Sequence, residues 1–297
     1  MNDTSGTTDP LGPPDPAGPD RVVAWCVVPF DGRRRGPDER AEMLARLGFR
    51  RFAYDWRAEH LPSLPAELAA LARAGIALHA VWFPPRLDAD ARYLLDVLAD
   101  AGLAPELWTT TMFDGPERHD PATHARLVAE HVRTLTPLVE AAETLGARVG
   151  LYNHLGWFGE PEHQLEILDA LGSPLIGIVY NQHHGHAHVD RFAELLDAVL
   201  PHLLCVTLNG TTRDGDRTGR KILPLGHGEL DRSLFAALDA SGYRGPLALL
   251  GHTDDDAEQR LAENLDGLRW LLDGATAADP GRAPEPRVSR WRAEGLL

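Results

Sequence analysis

Four histidines fall within six positions of the stretch VYNQHHGHAHVD, residues 179–190: His183, His184, His186 and His188. Imidazole titrates near neutral pH and also binds zinc, copper or nickel well, so the run reads as acid–base machinery, a metal cluster or an accident of composition. His184 and His188 would share one face of a helix, with His183 or His186 joining from a loop. Neighbours on one short loop cannot easily surround an ion, however, and no C-x-x-C or H-E-x-x-H pattern accompanies them. The plainer reading of His186 and His188 is a solvated loop and helix start. His183 and His184 stand closer to the apolar run PLIGIVYN and so closer to any substrate.

Other groups able to do chemistry also follow apolar runs. YDWRAEH supplies Asp55, Trp56, Arg57, Glu59 and His60, and further runs end in Trp82, in Asn153 and His154, in Asn181, in Asn209 and in His252. The only lysine of the chain, Lys221, lies farther along the segment after Asn209 with His227. Trp25, Trp56, Trp82 and Trp157 are candidates for an apolar floor on which a sugar ring could stack, although aromatics near strand ends commonly serve a core.

Positioning these groups together requires a regular scaffold, and the sequence provides eight β-rich runs, at 21–30, 49–56, 75–83, 105–113, 148–154, 174–181, 202–209 and 246–252. Helical patterns separate them. Val128, Val132, Leu135, Val139 and Ala142 recur at spacings of four and three, as do Leu261, Leu265, Leu268 and Leu272. Thr253 offers a helix N-cap and Pro161 suits a first helical position. Near-continuous apolar strands alternating with helices indicate a parallel sheet buried on both faces, and eight of them favour closure into a (β/α)8 TIM barrel. An open doubly wound sheet usually carries a Gly-rich phosphate turn after its first strand, and VPFDGRRRGPDE has none. The predicted organisation is a disordered tail over 1–20, one barrel over 21–273 and a C-terminal extension over 274–297.

Composition bounds the partners. With 43% hydrophobic and 25% charged residues the chain reads as an ordinary globular protein. A net charge of −15 disfavours nucleic acid, no apolar stretch approaches the length a bilayer demands, and the first twenty residues lack signal-peptide character, which points to the cytoplasm. Cys26 and Cys205 fall inside predicted strands, where a thiol behaves as a small buried apolar group.

Taken in order, LYNHLGWFGEPE, GIVYNQHHGH, LPLGHGELD and GYRGPLALLGHTDDDAEQRLAENLDGLRWLL resemble the xylose isomerase-like TIM barrels, which include sugar phosphate isomerases and epimerases and endonuclease IV-type enzymes. The resemblance covers roughly 22–273. It implies a divalent metal at the barrel mouth, held by carboxylates and a histidine at the ends of strands five to eight. Those positions align with Asn153, Asn181, Thr207 and Leu250, while His154 and His184 are kept. Asparagine brings no charge and leucine no donor, so the usual metal site is expected to be missing, and no other cofactor is indicated.

The expected function is proton transfer next to a carbonyl of a sugar or polyol-derived substrate, an isomerisation or epimerisation. His154, His184, Glu59 and Lys221 are the candidate catalytic groups. Asp55, Trp56, Arg57, Trp82, Asn153, Asn181, His183, His186, Asn209 and His252 are the candidate substrate contacts. Arg57 and Lys221 would stabilise a developing enediolate, and Asp55 is an alternative base to Glu59. Two other readings stay open: a non-catalytic sugar-binding or regulatory barrel, and an isomerase whose histidine-rich run holds a metal in a new way.

Overall fold

The computed structural model describes residues 18, 20–111, 119–276 and 281–287. Eight parallel strands, β1 (Val22–Trp25), β2 (Arg51–Tyr54), β3 (Ala77–Phe83), β4 (Glu106–Thr109), β5 (Val149–Tyr152), β6 (Ile176–Asn181), β7 (Leu203–Leu208) and β8 (Leu247–Leu250), pair in chain order. The sheet closes through β1 and β8, giving the expected TIM barrel. The principal crossover helices are α1 (Pro37–Arg46), α2 (Leu64–Arg73), α3 (Ala89–Asp100), α4 (Pro121–Leu145), α5 (Pro161–Leu171), α6 (Phe192–Val199), α7 (Asp231–Ala240) and α8 (Ala257–Thr276).

Every predicted run contains a strand, but the strands are shorter. The run at 21–30 stops at Trp25, because Cys26 turns into left-handed backbone (φ 55°) and Val28–Phe30 form a 3-10 turn. Early termination leaves more residues at the C-terminal rim, where such barrels place their chemistry. The predicted end of the fourth run, at 113, lies outside the described residues.

Side chains two apart along a strand share a face, so Val23 and Trp25, Ala53, Ala80, Trp108, Tyr152, Val179, Cys205, Ala248 and Leu250 meet inside the barrel. Small residues on β2, β3 and β8 leave room for the indoles of Trp25 and Trp108, whose centroids are 5.0 Å apart. Gly150 on β5 is required by the same packing: a Cβ there would stand 2.6 Å from Val179 Cγ2 and 2.9 Å from Trp108 Cδ1.

Outside the barrel, α4 buries Leu127, Leu135, Leu138, Val139 and Ala142, close to the predicted face. Pro161 opens α5 as expected. The cap of α8 is a correction: the helix begins at Ala257, and Asp256, not Thr253, accepts the Glu258 N–H at 3.1 Å. Thr253 instead donates its N–H to the Gly251 carbonyl in a bend, while Arg35 holds Asp256 at 2.7 Å. Between α1 and α2, Arg40 and Glu67 form a two-point buried ion pair at 2.9 and 3.1 Å.

The predicted tail and C-terminal extension lie mostly outside the described residues. Helix α8 runs to Thr276, beyond the predicted boundary at 273. Part of the extension returns to the barrel: His227 Nε2 lies 2.7 Å from the Pro284 carbonyl, and Arg287 Nε donates to Asp266 at 3.2 Å. Among the described residues no helix is long and apolar enough to cross a membrane.

Candidate active site

Two adjoining hollows open at the C-terminal ends of the strands and share His154, His183 and His184 as a common wall. The larger, of about 180 Å³, is floored by Trp25, Trp82 and Tyr152 and edged by Phe30, Asp55, Arg57 and His252. The smaller, of about 100 Å³, is polar and carries His186, Lys221, Asp216 and Glu160.

Asp55 follows β2 directly and is 3% exposed. Cys26 turns the chain out of β1, and the next two amides, of Val27 and Val28, both donate to Asp55 Oδ1 at 3.1 Å. Its other oxygen, Oδ2, is buried without a hydrogen-bond partner among the described residues. Burial raises the carboxyl to about 6; the backbone donors and Arg57 pull the other way and recover only part of the shift. Asp55 is therefore a pocket-wall carboxyl that titrates just below neutrality.

The histidines pack ring against ring, with centroids 4.1 Å apart for His154 and His184, 4.2 Å for His183 and His184, and 5.2 Å for His183 and His252. Nδ1 of His154, His183 and His184 is buried with no hydrogen-bond partner among the described residues. Burial lowers all four, helped by Lys221 at His154 and His183, by the neighbouring imidazoles at His184 and by Arg57 at His252, which falls to about 4. These imidazoles are neutral at physiological pH. Lys221 is half-buried, is lowered by desolvation and has no carboxylate within ion-pair distance among the described residues.

Beneath the wall, Asn153 and Asn181 tie β5 to β6. The Asn181 N–H donates to Asn153 Oδ1, and Asn153 Nδ2 returns a bond to the Asn181 carbonyl at 3.3 Å. Asn181 Oδ1 accepts from Thr207 Oγ1 and from the His183 N–H at 3.0 Å, while Nδ2 donates to the Tyr152 hydroxyl. Both amide oxygens are engaged, and Leu250 packs among the apolar residues of the barrel interior. These side chains do not fit the carboxylate-held divalent ion that the resemblance implies. Among the described residues no group of three or more His, Cys, Asp or Glu side chains is disposed to hold a metal ion.

The sequence-predicted residues separate into those on the pocket and those behind it. Asp55, Arg57, Trp82, His154, His183, His184, His186, His252 and Lys221 line the two hollows. Glu59 does not: it is exposed on the turn Ala58–Ser63, away from both. Trp56 is pinned by its indole N–H to the Trp82 carbonyl at 2.7 Å and packs toward the helices, and Trp157 is buried between His131 and His163 in the helical layer. Asn153, Asn181 and Asn209 are fully buried supports; Asn209 Nδ2 donates to the Lys221 carbonyl at 3.2 Å and so holds the loop that carries the lysine.

The expected helix joining His184 to His188 is two 3-10 turns, Gln182–His184 and His186–Arg191. Nor is His188 solvated: at 2% exposure it lies 3.2 Å from both the Tyr180 hydroxyl and Glu160 Oε1. Cys26, Phe30 and Tyr152 also line the larger hollow; of these only Phe30 stands at the end of an apolar run, whereas Cys26 and Tyr152 lie within theirs and reach the pocket because β1 ends at Trp25 and β5 at Tyr152.

The sequence profile described as xylose isomerase-like TIM barrel matches residues 41–273. No curated protein sequence matches. Among solved structures, a D-allulose 3-epimerase from Methylomonas sp. is 17% identical with a TM-score of 0.63, covering 85% of this chain and 98% of its own. A 3-keto-D-glucoside 4-epimerase from E. coli is 17% identical with a TM-score of 0.60, again over 85% and 98%. A xylose isomerase-like TIM barrel protein from Mycobacterium smegmatis in complex with magnesium is 18% identical with a TM-score of 0.57, over 86% of this chain and 97% of its own. At these identities the likeness is one of fold, but the profile spans most of the barrel, and the chain belongs to the xylose isomerase-like TIM barrel family.

Proposed function

We propose that the chain is a sugar isomerase or epimerase that moves a proton next to a carbonyl, with Asp55 rather than a histidine as the acid–base group. The observation that carries this reading is the buried carboxyl of Asp55, one oxygen held by two amides and the other unpartnered at the pocket wall. A group at about 6 can take a proton at neutral pH and give it back, the range a general base needs. Asp55 removes the proton from the carbon beside the carbonyl and the electron pair moves onto the carbonyl oxygen. In isomerisation Asp55 returns the proton to the former carbonyl carbon while the adjacent hydroxyl proton passes to that carbon's oxygen; in epimerisation the enediolate turns its other face to Asp55 before the proton returns to the carbon it left. The enediolate oxygen accepts an N–H from a neutral imidazole, His154 or His184, and sits in the positive field of Lys221 and Arg57. Trp82, partly exposed over the buried Trp25, offers an apolar surface to the sugar ring.

Incubation of the protein with a panel of ketoses and keto-glycosides in D2O, with EDTA present, tests this. Deuterium is expected to enter the carbon beside the carbonyl, and Asp55→Asn should slow the exchange by about 10²–10⁴-fold. Saturable sugar binding without exchange would instead identify a non-catalytic barrel, and exchange that vanishes on chelation would restore a metal-dependent one. Unchanged turnover in both His154→Ala and His184→Ala would remove those imidazoles from the mechanism.

A further inference from the structure

We infer that the opposite, N-terminal end of the barrel holds a binding site for a small oxyanion, a phosphate or a carboxylate, gripped by Arg51 and His79. A cavity of about 760 Å³ opens there, with Arg50 and Arg51 at the start of β2, His79 on β3, Glu106 at the start of β4, Arg148 before β5, and Asp20. Three guanidiniums thus face two carboxylates, in a chain whose net charge is −15.

Hydrogen-bond accounting identifies what the cavity lacks. Glu106 is satisfied: its side chain is 6% exposed, Oε2 accepts the Trp108 indole N–H at 2.8 Å and Oε1 pairs with Arg148. Arg51 has no carboxylate within ion-pair distance among the described residues, and its contact with His79 Nδ1 is 3.5 Å. A guanidinium can only donate, so Nδ1 is the acceptor of that contact. Burial, followed by the fields of Arg51 and Arg148, holds the imidazole neutral, lowering it to about 4. A neutral ring that accepts at Nδ1 carries its proton on Nε2. The side chain is 7% exposed, yet Nε2 has no hydrogen-bond partner among the described residues and lies 3.8 Å from Glu106 Oε2, beyond hydrogen-bond reach.

The backbone brings this ring there. Phe52 pairs with Leu78 and Ala53 with Ala80, so His79 is the extra residue of a bulge, a device that re-aims a side chain. What remains uncommitted is the part of the Arg51 guanidinium beyond the Nη1 that faces His79, and one buried imidazole N–H, all of them donors and the guanidinium charged. A ligand made only of acceptors, with two oxygens spaced for the guanidinium fork, satisfies them. A metal cation would meet surplus positive charge.

Calorimetric titration of the full chain at about 0.15 M NaCl, where loose surface attraction is screened, tests the site with inorganic phosphate and, separately, malonate. One-to-one binding of either anion is expected, and the one that binds identifies the source chemistry. Arg51→Gln should weaken it at least tenfold. Arg51→Lys, which keeps the charge and loses the fork, should fall between, and decides the matter if the glutamine variant does not fold. Arg57→Gln and Lys221→Gln at the mouth should bind within twofold of the parent. Absence of saturable heat with both anions up to about 10 mM overturns the proposal, as does parent-like affinity in the Arg51 variants or loss of binding in the mouth variants.

Discussion

Replacing Asp55 by asparagine should make the protein more stable at alkaline pH, by an amount that follows from its burial. The carboxyl moves from 3.8 to about 6 on folding. Each unit corresponds to about 1.4 kcal/mol, so keeping Asp55 ionised in the folded state costs about 3 kcal/mol at pH 8. Because the folded value is the raised one, protonated Asp55 carries no such cost below 3.8. Stability declines as the unfolded chain gives up its proton first, and the loss is complete once pH has passed about 6. Asparagine has no proton to lose, and its amide oxygen can still accept from Val27 and Val28. The stability gap between variant and parent should therefore grow from roughly 1.6 kcal/mol at pH 5 to about 3 kcal/mol at pH 8. Urea unfolding at the two pH values measures it, and taking the difference between two proteins that share every other titrating group isolates Asp55. A gap that is the same at both pH values, or that favours the parent at pH 8, would refute the assignment of a raised carboxyl. Greater stability combined with lost deuterium exchange would be the pattern of a group kept for chemistry at a cost to the fold.

Gly150→Ala forces a methyl to within 2.6 Å of Val179 and 2.9 Å of Trp108, and urea unfolding should show a loss of about 1–3 kcal/mol. Arg40→Met leaves the fully buried Glu67 carboxylate without its two-point partner, and the same measurement should show about 3–5 kcal/mol lost at pH 7.

The scaffold was legible because its signals are local and repeated: each apolar run became a strand, and the faces of α4 and α8 followed their periodicity. Closure of the sheet then made the rim residues neighbours, which is why His154 and His252 could be grouped with His183 and His184 though far from them in sequence. What the loops do is set by contacts between segments. Glu59 and Asp55 are four residues apart and look equally able to act as a base, yet one lies on an exposed turn and the other is buried under the amides of Val27 and Val28. Thr253 lost the α8 cap to Asp256, which Arg35 holds from the segment after the neighbouring strand β1. The histidines were expected to titrate near neutrality; their mutual burial, which no spacing reveals, keeps them uncharged instead.

Lys221 is the sole lysine in 297 residues, and the fold sets its half-buried amine on the rim of the smaller hollow. An amine-acylating reagent therefore meets one side-chain amine in this sequence, distinguishable by peptide mass from any α-amine, and that side chain is at the mouth. Occupancy of the cup by any candidate sugar can be followed by the mass of that lysine's peptide, as protection of one label, before any turnover has been detected.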